Sequence, residues 1–463
     1  MSTVEMEDLM GKFFGTDGIR GVANQELTPE LAFRVGQAAA FVLTKELKHR
    51  AKIYIGKDTR ISSDMLECAL AAGISSVGAE VGMLGFVPTP AVAYLTVKHN
   101  ADAGIVVSAS HNPMEFNGIK IFNSQGYKLS DELELEIEEY LTGDADFPAC
   151  IGGDLGRVYH KENAVSEYID YVAGTVDGDL SGLRVLVDCA NGAASHTAQN
   201  LFEKLGAECD FIFNTPDGVN INANCGSTKM DTLREKVVSG NYDAGVAFDG
   251  DADRCLIVNE KGNIVDGDSI MAICACDLKE KGRLNGNSFV ATVMSNLGLH
   301  AYSKKMGINV ACSAVGDRNV LELMLKEDYV LGGEQSGHVI FREYSTTGDG
   351  ELTAVQFLSL VKRRGVAVSQ LGGEIPQYPQ VIINVKVANA IKESVINDRE
   401  VKLAIREVTG QLMEDGRILV RPSGTEPLIR VMVEGRDFEK INQIASHVSD
   451  VIASAARDIS KKM

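Results

Sequence analysis

The stretch Ala244-Gly-Val-Ala-Phe-Asp-Gly-Asp-Ala-Asp-Arg254 decides the class of fold that the sequence predicts. It begins as an apolar strand, predicted at residues 243–248, and runs directly into three aspartates at alternate positions. Ligand-binding groups collect at the carboxyl ends of strands in open α/β sheets. Similar apolar runs alternate with amphipathic helical segments through most of the chain, which is typical of an α/β protein.

The chain of 463 residues is longer than one hydrophobic core usually supports, so we divide it into four predicted domains. The first three, residues 1–153, 154–256 and 257–368, alternate strands with helices. The fourth, residues 369–463, has the pattern of an α+β domain with an antiparallel sheet. The clearest helices are predicted at residues 29–47, 64–79, 193–205 and 399–413, and the clearest strands at residues 52–55, 103–107, 184–187, 381–387 and 429–433.

A formal net charge of −19 argues against a nucleic-acid-binding protein, because such proteins need a basic face. No stretch approaches the roughly 20 apolar residues that a membrane span requires, and the first ten residues lack the apolar run of a signal peptide. The nine cysteines have no regular spacing, which indicates reduced thiols. We therefore expect a cytoplasmic protein whose partners are neither nucleic acids nor membranes.

Ser110 lies in the stretch Ser108-Ala-Ser-His-Asn-Pro113, directly after the strand predicted at residues 103–107. Pro113 disfavours a helical continuation and predicts a turn, on which we expect the serine to be exposed and held in place. A nucleophile or a phosphate carrier requires such a hydroxyl, although an ordinary turn with serines capping the backbone fits the same residues. The adjacent His111 does not indicate a hydrolase, because no G-x-S-x-G motif surrounds the serine.

Asp249, Asp251 and Asp253 would point to one side of the chain if the two-residue period of the strand continued through them. Three carboxylates suit Mg²⁺, and without a nearby cation they would repel one another. A calcium-binding EF-hand loop is the main alternative. It fails because Arg254 occupies the sixth position, where that loop requires glycine.

A second anion-binding stretch is predicted near the C-terminus. Arg421 follows a predicted strand and is succeeded by Ser423, Gly424 and Thr425, whose hydroxyls and amides can donate to a phosphate. Arg430, on the next strand, could reach the same anion. A surface turn between two strands is an equally simple interpretation of these residues.

The remaining candidates are isolated polar residues in glycine-bearing loops. Glu334, Ser336 and His338 combine an acceptor, a hydroxyl and an imidazole, a mixture suited to reading sugar hydroxyls. Arg20 and Lys120 are single cations. Taken singly, each of these residues fits a polar turn or a solvated surface charge.

Five glycine-punctuated patches, at residues 15–21, 108–113, 249–254, 332–338 and 421–427, make the sequence similar to the α-D-phosphohexomutase family over essentially its whole length. The opening Phe13-Phe-Gly-Thr-Asp-Gly-Ile-Arg-Gly-Val-Ala23 and the last two patches most resemble the branch that acts on hexosamine phosphates. The resemblance implies three mixed α/β sandwich domains and a C-terminal α+β domain around a central cleft. It outweighs the simpler interpretations of the single patches.

The resemblance also implies a reaction. Phosphorylated Ser110 would donate its phosphoryl group to a hexosamine phosphate and recover the other group from the 1,6-bisphosphate intermediate, interconverting glucosamine 6-phosphate and glucosamine 1-phosphate for amino-sugar and cell-wall precursor synthesis. Asp249, Asp251, Asp253 and an oxygen of the phosphoserine would hold Mg²⁺. A hexosamine or hexose 1,6-bisphosphate would act as activator, and a homodimer is compatible with the resemblance.

Roles for the other residues follow in the same way. Lys120 and Arg20 would be acid/base or electrostatic helpers, and His338 a further candidate for proton transfer. The sugar hydroxyls would be read by Glu334 and Ser336. The idle phosphate would be bound by Arg421, Ser423, Gly424, Thr425 and Arg430, with His111 and Arg254 supporting the serine and the metal loop.

Other functions remain open at this point. A phosphomannomutase or phosphoglucomutase of the same family is the main alternative, followed by a metal-dependent sugar-phosphate phosphatase and a catalytically silent sugar-phosphate sensor. The sequence departs from the hexosamine branch at Phe116, at Ala252 in place of a frequent glycine, and in residues 313–318. The last of these departures concerns a loop that the resemblance links to sugar orientation.

Overall fold

A computed structural model describes residues 13–15, 17–143, 147, 150–372, 375–412, 416–423 and 427–462. The described residues up to 294 and between 306 and 374 form a larger unit, and residues 295–305 form a smaller one with those from 375 onward. Among the described residues, no helix has both the length and the apolar composition needed to cross a membrane.

The first sheet of the larger unit has seven strands in the order β1-β2-β6-β5-β3-β4-β7. Strands β3, β4, β5 and β7 pair in parallel, and β6 joins β5 and β2 in antiparallel fashion. The strands are β1 (Phe14–Gly15), β2 (Gly18–Val22), β3 (Lys52–Lys57), β4 (Glu80–Phe86), β5 (Ala103–Val107), β6 (Phe116–Asn123) and β7 (Val158–His160). The accompanying helices are α1 (Pro29–Thr44), α2 (Ile61–Ser76), α3 (Thr89–Lys98), α4 (Asp131–Thr142) and α5 (Ala164–Ala173).

Local sequence accounts for the ends of the helices in this layer. Helix α1 begins at Pro29 because Thr28 caps it, accepting a hydrogen bond from the Leu31 amide. Helix α2 stops at Ser76, short of the predicted end at residue 79, where Gly78 adopts a φ of +93°. Apolar residues of both helices belong to one buried cluster with residues of β3 and β5, and this cluster is the core of the first layer.

The second sheet has the order β12-β11-β10-β8-β9, with β8, β9 and β10 parallel and β11 antiparallel to β10. Its strands are β8 (Arg184–Asp188), β9 (Glu208–Ile212), β10 (Ala244–Phe248), β11 (Cys255–Asn259) and β12 (Ile264–Val265), and its helices are α6 (Ala198–Lys204) and α7 (Asp231–Gly240). The helix predicted at residues 193–205 is shorter in the structure. A 3-10 turn, Ala193–His196, precedes it, and Thr197 separates the two with a φ of −122°.

The third sheet has the order β14-β13-β15-β16. Its strands are β13 (Ser288–Thr292), β14 (Asn309–Ser313), β15 (Leu331–Gly333) and β16 (Val339–Phe341). Helix α8 (Gly267–Glu280) precedes the sheet, α9 (Leu297–Lys305) belongs to the smaller unit, and α10 (Asp317–Lys326), α11 (Gly350–Arg364) and α12 (Val368–Gly372) complete the larger one.

Two sheets extend past the domain boundaries that we expected from the sequence. The first sheet includes β7, which pairs with β4 beyond residue 153. The second includes β11 and β12, beyond residue 256, because β11 pairs along its whole length with β10. The strand that carries the aspartates and the strand that follows them are therefore a hairpin of one sheet.

The smaller unit is an antiparallel sheet of three strands in the order β17-β19-β18, covered by helices. Its elements are β17 (Gln380–Lys386), α13 (Lys392–Ile396), α14 (Arg399–Leu412), β18 (Gly416–Pro422), β19 (Leu428–Gly435) and α15 (Phe438–Lys462). Helix α9 groups with this unit, and its Leu297 amide donates to Glu434 Oε1 at 2.9 Å. The α+β pattern predicted for the C-terminal region is confirmed.

Candidate active site

Ser110 lies on a tight turn beyond the carboxyl end of β5, in the left-handed conformation, with a φ of +51°. Its amide donates to Ser108 Oγ at 3.0 Å, and that hydroxyl donates to Asp58 Oδ2 at 2.5 Å. A non-glycine residue in this conformation costs about 1–3 kcal/mol, and such strain is common at functional sites. The expectation of an exposed serine was wrong, because Ser110 is only 1% exposed.

Two side chains from different sheets hold the turn by its carbonyl groups. Arg60 Nη2 donates to the carbonyls of Ser110 and Asn112 at 3.1 and 2.6 Å. Asn222 Nδ2 donates to the same two carbonyls at 2.9 and 3.0 Å. Arg60 also forms a buried ion pair with Asp58. The backbone on either side of His111 is thus fixed by four hydrogen bonds from two side chains.

The side chain of Ser110 reaches the aspartate loop. Its hydroxyl donates to Asp249 Oδ2 at 2.6 Å, although 139 positions separate the two residues in the sequence. Gly250 permits this approach, because a Cβ there would lie 2.5 Å from the Ser110 carbonyl oxygen. The structure therefore brings the predicted nucleophile and the predicted metal loop into direct contact.

The three aspartates form one buried cluster. Asp249, Asp251 and Asp253 are 1%, 0% and 4% exposed, and each offers a carboxylate oxygen within 4.8 Å of the others. Burial, reinforced by the charges of Asp253 and Asp251, raises the pKa of Asp249 well above its ordinary value. Oδ1 of Asp251 and Oδ1 of Asp253 are buried without a hydrogen-bond partner among the described residues. Unpartnered oxygens on hard ligands fit a divalent cation such as Mg²⁺.

Ala252 explains one of the departures noted in the sequence. Its φ is +53°, which glycine adopts without strain and alanine does not. The loop keeps this conformation because its backbone is tied on both sides: the Ala252 amide donates to the Asp249 carbonyl, and the Gly350 amide donates to the Ala252 carbonyl. The alanine therefore occupies a left-handed position at a conformational cost, held there by these two hydrogen bonds.

Lys120 on β6 is the cation of this cluster and is only 1% exposed. Its Nζ donates to Asp251 Oδ2 at 2.8 Å and lies 3.4 Å from Asp253 Oδ2 and 3.2 Å from Asp17 Oδ2. Burial alone would lower the pKa of Lys120, but the three carboxylates outweigh burial and raise the pKa well above its ordinary value. Lys120 is therefore a buried positive charge among these three carboxylates.

Arg20 on β2 forms an ion pair with Asp17. Lys128 bridges Asp17 and Asp317, which connects a loop of the first sheet to the start of α10 beside the third. These charged groups surround a cavity of about 160 Å³, lined by Asp17, Arg20, Asp253, Arg254, Val315, Gly316, Asp317, Glu334 and His338.

His338 is buried beside the aspartates. Its Nδ1 lies 3.7 Å from Asp253 Oδ2, while its Nε2 accepts a 3.0 Å hydrogen bond from the Gly348 amide. Burial opposes protonation, but Asp253 and Asp317 outweigh it and raise the pKa of His338. The Gly348 contact leaves His338 Nδ1 on the side of Asp253, next to the metal-loop carboxylates.

Glu334 and Ser336 lie in the turn between β15 and β16. Glu334 Oε1 accepts from the Gly316 amide at 3.0 Å, and the Ser336 hydroxyl lies 3.5 Å from Glu334 Oε2. The contact with Gly316 holds the Glu334 carboxylate against the wall of the cavity. The loop that departs from the hexosamine branch, residues 313–318, is thus the immediate neighbour of the predicted sugar-reading residue.

His111 and Arg254 contact each other beside the serine. Arg254 Nη1 donates to His111 Nδ1 at 3.3 Å, and Ser110 Oγ lies 3.4 Å from the same nitrogen. Burial, together with the charges of Arg254 and Arg20, lowers the pKa of His111 to about 4. The imidazole is therefore neutral at physiological pH and accepts from Arg254.

The smaller unit carries the predicted phosphate-binding residues. Arg421 on β18 and Arg430 on β19 are directly paired across the two strands. Ser423 follows β18, and its amide donates to the Leu428 carbonyl at 2.9 Å. Arg430 Nε donates to Asn384 Oδ1 at 3.2 Å. Gly424 and Thr425 lie outside the described residues.

Sequence reasoning missed several residues of the site. Asp58 and Arg60 follow β3, Thr89 begins α3, and Asp17, Lys128 and Asp317 form the charged network beside Lys120. For Asp58 and Arg60 a signal was present, because polar residues beyond the carboxyl end of a parallel strand are site candidates. Asp17 lies in the patch at residues 15–21 and Asp317 in the loop at residues 313–318, but nothing in either segment singled out the aspartate. Thr89 and Lys128 had no signal in the sequence, since their contacts join segments far apart in the chain.

The sequence patterns of four domains of one protein family match consecutive parts of the chain. They are phosphoglucomutase/phosphomannomutase α/β/α domains I, II and III, at residues 11–146, 166–262 and 266–378, and the C-terminal domain at residues 382–451. Together they cover most of the sequence. The chain belongs to the phosphoglucomutase/phosphomannomutase family. The resemblance noted from the sequence is thereby confirmed, together with the four-domain α/β architecture.

Relatives within this family carry a more specific name. A protein of Clostridium botulinum named phosphoglucosamine mutase is 54% identical over 450 residues, which cover 97% of this chain and all of that protein. A phosphoglucomutase/phosphomannomutase family protein from Burkholderia thailandensis has a similar crystal structure, with a TM-score of 0.79 at 22% identity over 95% of this chain and 97% of that one.

A fungal structure is similar at lower identity. Aspergillus fumigatus N-acetylphosphoglucosamine mutase, in complex with GlcNAc-6P and magnesium, has a TM-score of 0.69 at 16% identity. The match covers 98% of this chain and the whole of that chain. At such identities the two structures establish the shared fold.

Proposed function

We propose that this protein interconverts glucosamine 6-phosphate and glucosamine 1-phosphate through a phosphoserine at Ser110, as a phosphoglucosamine mutase. The observation that carries the proposal is the 2.6 Å hydrogen bond from Ser110 Oγ to Asp249, inside a buried cluster of three carboxylates. Proteins named phosphoglucosamine mutase are about half identical to this chain over nearly its full length, which supports hexosamine phosphates as the substrates.

The reaction consists of two phosphoryl transfers. In the first, a free hydroxyl oxygen of the sugar monophosphate attacks the phosphorus of phosphoserine, the bond from phosphorus to Ser110 Oγ breaks, and the proton of the sugar hydroxyl is replaced by one on Ser110 Oγ. The product is the 1,6-bisphosphate, which turns over to present its other phosphate. In the second, Ser110 Oγ attacks that phosphorus, the bond from this phosphorus to the sugar oxygen breaks, and the proton lost by the serine hydroxyl is replaced by one on the sugar oxygen. Phosphoserine is regenerated, and the phosphate has changed position on the sugar.

The aspartate loop and the phosphoserine would hold Mg²⁺. Asp249, Asp251 and Asp253 supply the carboxylates, and the two buried Oδ1 atoms without partners among the described residues support this assignment. Magnesium also appears in the complex of the fungal relative. A bound Mg²⁺ would offset the negative charge that develops on the transferring phosphoryl group.

The neighbouring cations complete the electrostatics of the transfer. Lys120 would stabilise negative charge beside Asp251 or take part in proton transfer, while Arg20, which lines the cavity, would bind a phosphoryl oxygen. His338, whose Nδ1 lies 3.7 Å from Asp253 Oδ2, would be a further candidate for proton transfer. The neutral imidazole of His111 would accept a hydrogen bond through Nδ1, which lies 3.4 Å from Ser110 Oγ.

Substrate recognition would use the residues that line the cavity and those of the smaller unit. We infer that Glu334 and Ser336 bind sugar hydroxyls and that Arg421, Ser423, Gly424, Thr425 and Arg430 bind the phosphate that is not transferring. Arg421 and Arg430 occupy directly paired positions of two neighbouring strands, so both could contribute to one phosphate site. Hexosamine 1,6-bisphosphate would serve as the activator of unphosphorylated enzyme in the cytoplasm.

A direct assay separates this function from its alternatives. Purified protein with Mg²⁺ and a trace of hexose 1,6-bisphosphate is mixed with glucosamine, glucose or mannose 1-phosphate, and products are followed by ³¹P NMR. We expect the highest kcat/KM for the glucosamine phosphate and little inorganic phosphate. A preference for glucose or mannose phosphate would assign another branch of the family, and phosphate release as fast as isomerisation would indicate a phosphatase.

A further inference from the structure

Thr89, the first residue of α3, contacts the aspartate loop. Its hydroxyl donates to Asp251 Oδ2 at 2.6 Å, and its amide donates to the Asp251 carbonyl oxygen at 2.9 Å. The residue is 1% exposed. Thr89 therefore binds both the main chain and the side chain of Asp251, a residue 162 positions later in the sequence.

These contacts leave the two oxygens of Asp251 in different states. Oδ2 accepts from the Thr89 hydroxyl and from Lys120 Nζ, at 2.6 and 2.8 Å. Oδ1 is buried and has no hydrogen-bond partner among the described residues. Two donors on one oxygen fix the plane of the carboxylate, so the direction of Oδ1 is fixed as well. A group that orients a metal ligand in this way contributes to metal affinity without touching the metal.

We propose that Thr89 is a positioning residue of the divalent-cation site, holding Asp251 so that Oδ1 is free to bind the cation. This inference rests on the proposed function for the identity of the site as a Mg²⁺ site. The donor is neutral, which matters because a second cation beside Lys120 would oppose the binding of a metal ion. The hydroxyl orients the carboxylate and leaves its charge intact.

The helix that carries Thr89 also supplies a matched control. Thr96 lies on the same helix, is fully buried, and donates through Oγ1 to the Val92 carbonyl oxygen at 2.8 Å. Thr96→Val and Thr89→Val each delete one buried hydroxyl from α3 and keep the side-chain shape. Only the second removes a donor to Asp251.

The test measures metal binding directly, in the absence of sugar. Full-length Thr89→Val, Thr89→Ser and Thr96→Val are titrated with Mg²⁺ by calorimetry and with Mn²⁺ by electron paramagnetic resonance. We expect Thr89→Val to weaken metal affinity by about 10- to 100-fold, the usual effect of losing such a partner. Thr89→Ser keeps the hydroxyl and should restore most of the affinity, and Thr96→Val should bind as wild type does. In turnover assays, Thr89→Val should need more Mg²⁺ and recover most of its kcat at saturating metal.

Two results would overturn the inference. Wild-type metal affinity in Thr89→Val would show that Asp251 does not depend on this donor, and equal losses in Thr89→Val and Thr96→Val would show a general effect of deleting a buried hydroxyl from α3. Asp251→Asn separates this inference from the proposed function. Loss of binding in Asp251→Asn with normal binding in Thr89→Val would contradict only the role of Thr89, whereas normal binding in Asp251→Asn would also contradict the assignment of the metal site.

Discussion

Arg421 on β18 and Arg430 on β19 occupy directly paired positions of the antiparallel sheet. Side chains at paired positions lie on the same face with Cβ atoms roughly 5 Å apart. Bidentate hydrogen bonds make arginine well suited to phosphate. The pairing therefore supports the proposal that these two arginines of the smaller unit bind one phosphate.

Arg421→Ala should impair conversion in both directions, because a bisphosphate that turns over presents each phosphate in turn to the same residues. Loss of a hydrogen bond to a charged group costs about 1.5–3 kcal/mol, or roughly ten- to a hundredfold in kcat/KM. Steady-state kinetics with glucosamine 6-phosphate and glucosamine 1-phosphate measure the effect. Arg457→Ala removes an exposed positive charge from the same unit and should change neither direction. A defect confined to one direction would contradict the reorienting bisphosphate.

Ser110→Ala should abolish most of the turnover, since no phosphoserine can form. Peptide mapping of active wild-type protein should find the phosphate on Ser110, and the variant should contain none. Ser166→Ala, which changes an exposed serine at the start of α5, serves as the control. Substantial isomerase activity in Ser110→Ala would rule out the phosphoserine mechanism.

Asp249→Asn should separate the stability of the loop from its affinity for metal. Asparagine can accept from the Arg254 amide through Oδ1 and donate from Nδ2 to the Ser110 hydroxyl, which reverses one hydrogen bond and keeps both contacts. The raised pKa of Asp249 indicates that its charge is unfavourable without a cation. We expect the variant to unfold near the wild-type temperature when metal is absent. Mg²⁺ at a hundred times Kd should stabilise wild type by about 2.7 kcal/mol and the variant by much less.

Calorimetric unfolding with Mg²⁺ and with a chelator measures this difference. The chelator should also stop turnover in wild type, and added Mg²⁺ should restore it. Equal stabilisation of both proteins by Mg²⁺, or full activity in the chelator, would place the metal elsewhere.

Glu351→Gln should change the pH dependence of stability. Burial, with a smaller contribution from Asp349, raises the pKa of Glu351 from its ordinary 4.5 to about 8. The folded protein therefore binds a proton that the unfolded chain releases. The contribution of this proton to the free energy of unfolding is complete below about pH 4.5. It is lost as the pH rises towards 8, with a limiting slope of about 1.4 kcal/mol per pH unit.

The glutamine variant has no such proton, so its stability relative to wild type should increase between about pH 5 and pH 8. The amide oxygen of the new side chain would still accept from the Thr197 hydroxyl, which donates to Glu351 Oε1 in wild type. Denaturant unfolding of both proteins at several pH values gives the difference between their free energies of unfolding. Because all other titratable groups are common to both proteins, their effects cancel in this difference. Parallel curves for the two proteins would show that Glu351 is ionised throughout.

The sequence predicted those parts of the fold and site that depend on local pattern. Strand β5 occupies the predicted residues 103–107, and the serine and the three aspartates follow their strands as expected. The apolar runs are local properties, so a single segment contains all the information needed to predict these strands. The expectation that the strand period continues through the aspartates was wrong, because β10 ends at Phe248 and Ala252 has a φ of +53°, so a turn brings the three carboxylates together. Ser110 and Asp249 could therefore be recognised as candidates without any knowledge of the contact between them.

What the sequence did not predict depends on contacts between distant segments. Thr89 and Asp58 look like ordinary residues of a helix start and a loop, and only the fold brings Thr89 to Asp251 and Asp58 to Ser108. The same limitation affected the placement of β11, whose apolar run is compatible with either neighbouring sheet. The pairing of β11 with β10 assigns it to the second sheet, and a local sequence pattern does not predict which strands pair.

The two carbonyls of the serine turn are bound by Arg60, which follows a strand of the first sheet, and by Asn222, which belongs to the segment after β9 of the second. The turn therefore connects two layers, and it carries the Ser110 hydroxyl. We expect any loosening between these layers to displace that hydroxyl before either hydrophobic core unfolds. Catalytic rate should accordingly be a more sensitive gauge of early thermal damage in this enzyme than circular dichroism, which reports on the helices and strands of its cores.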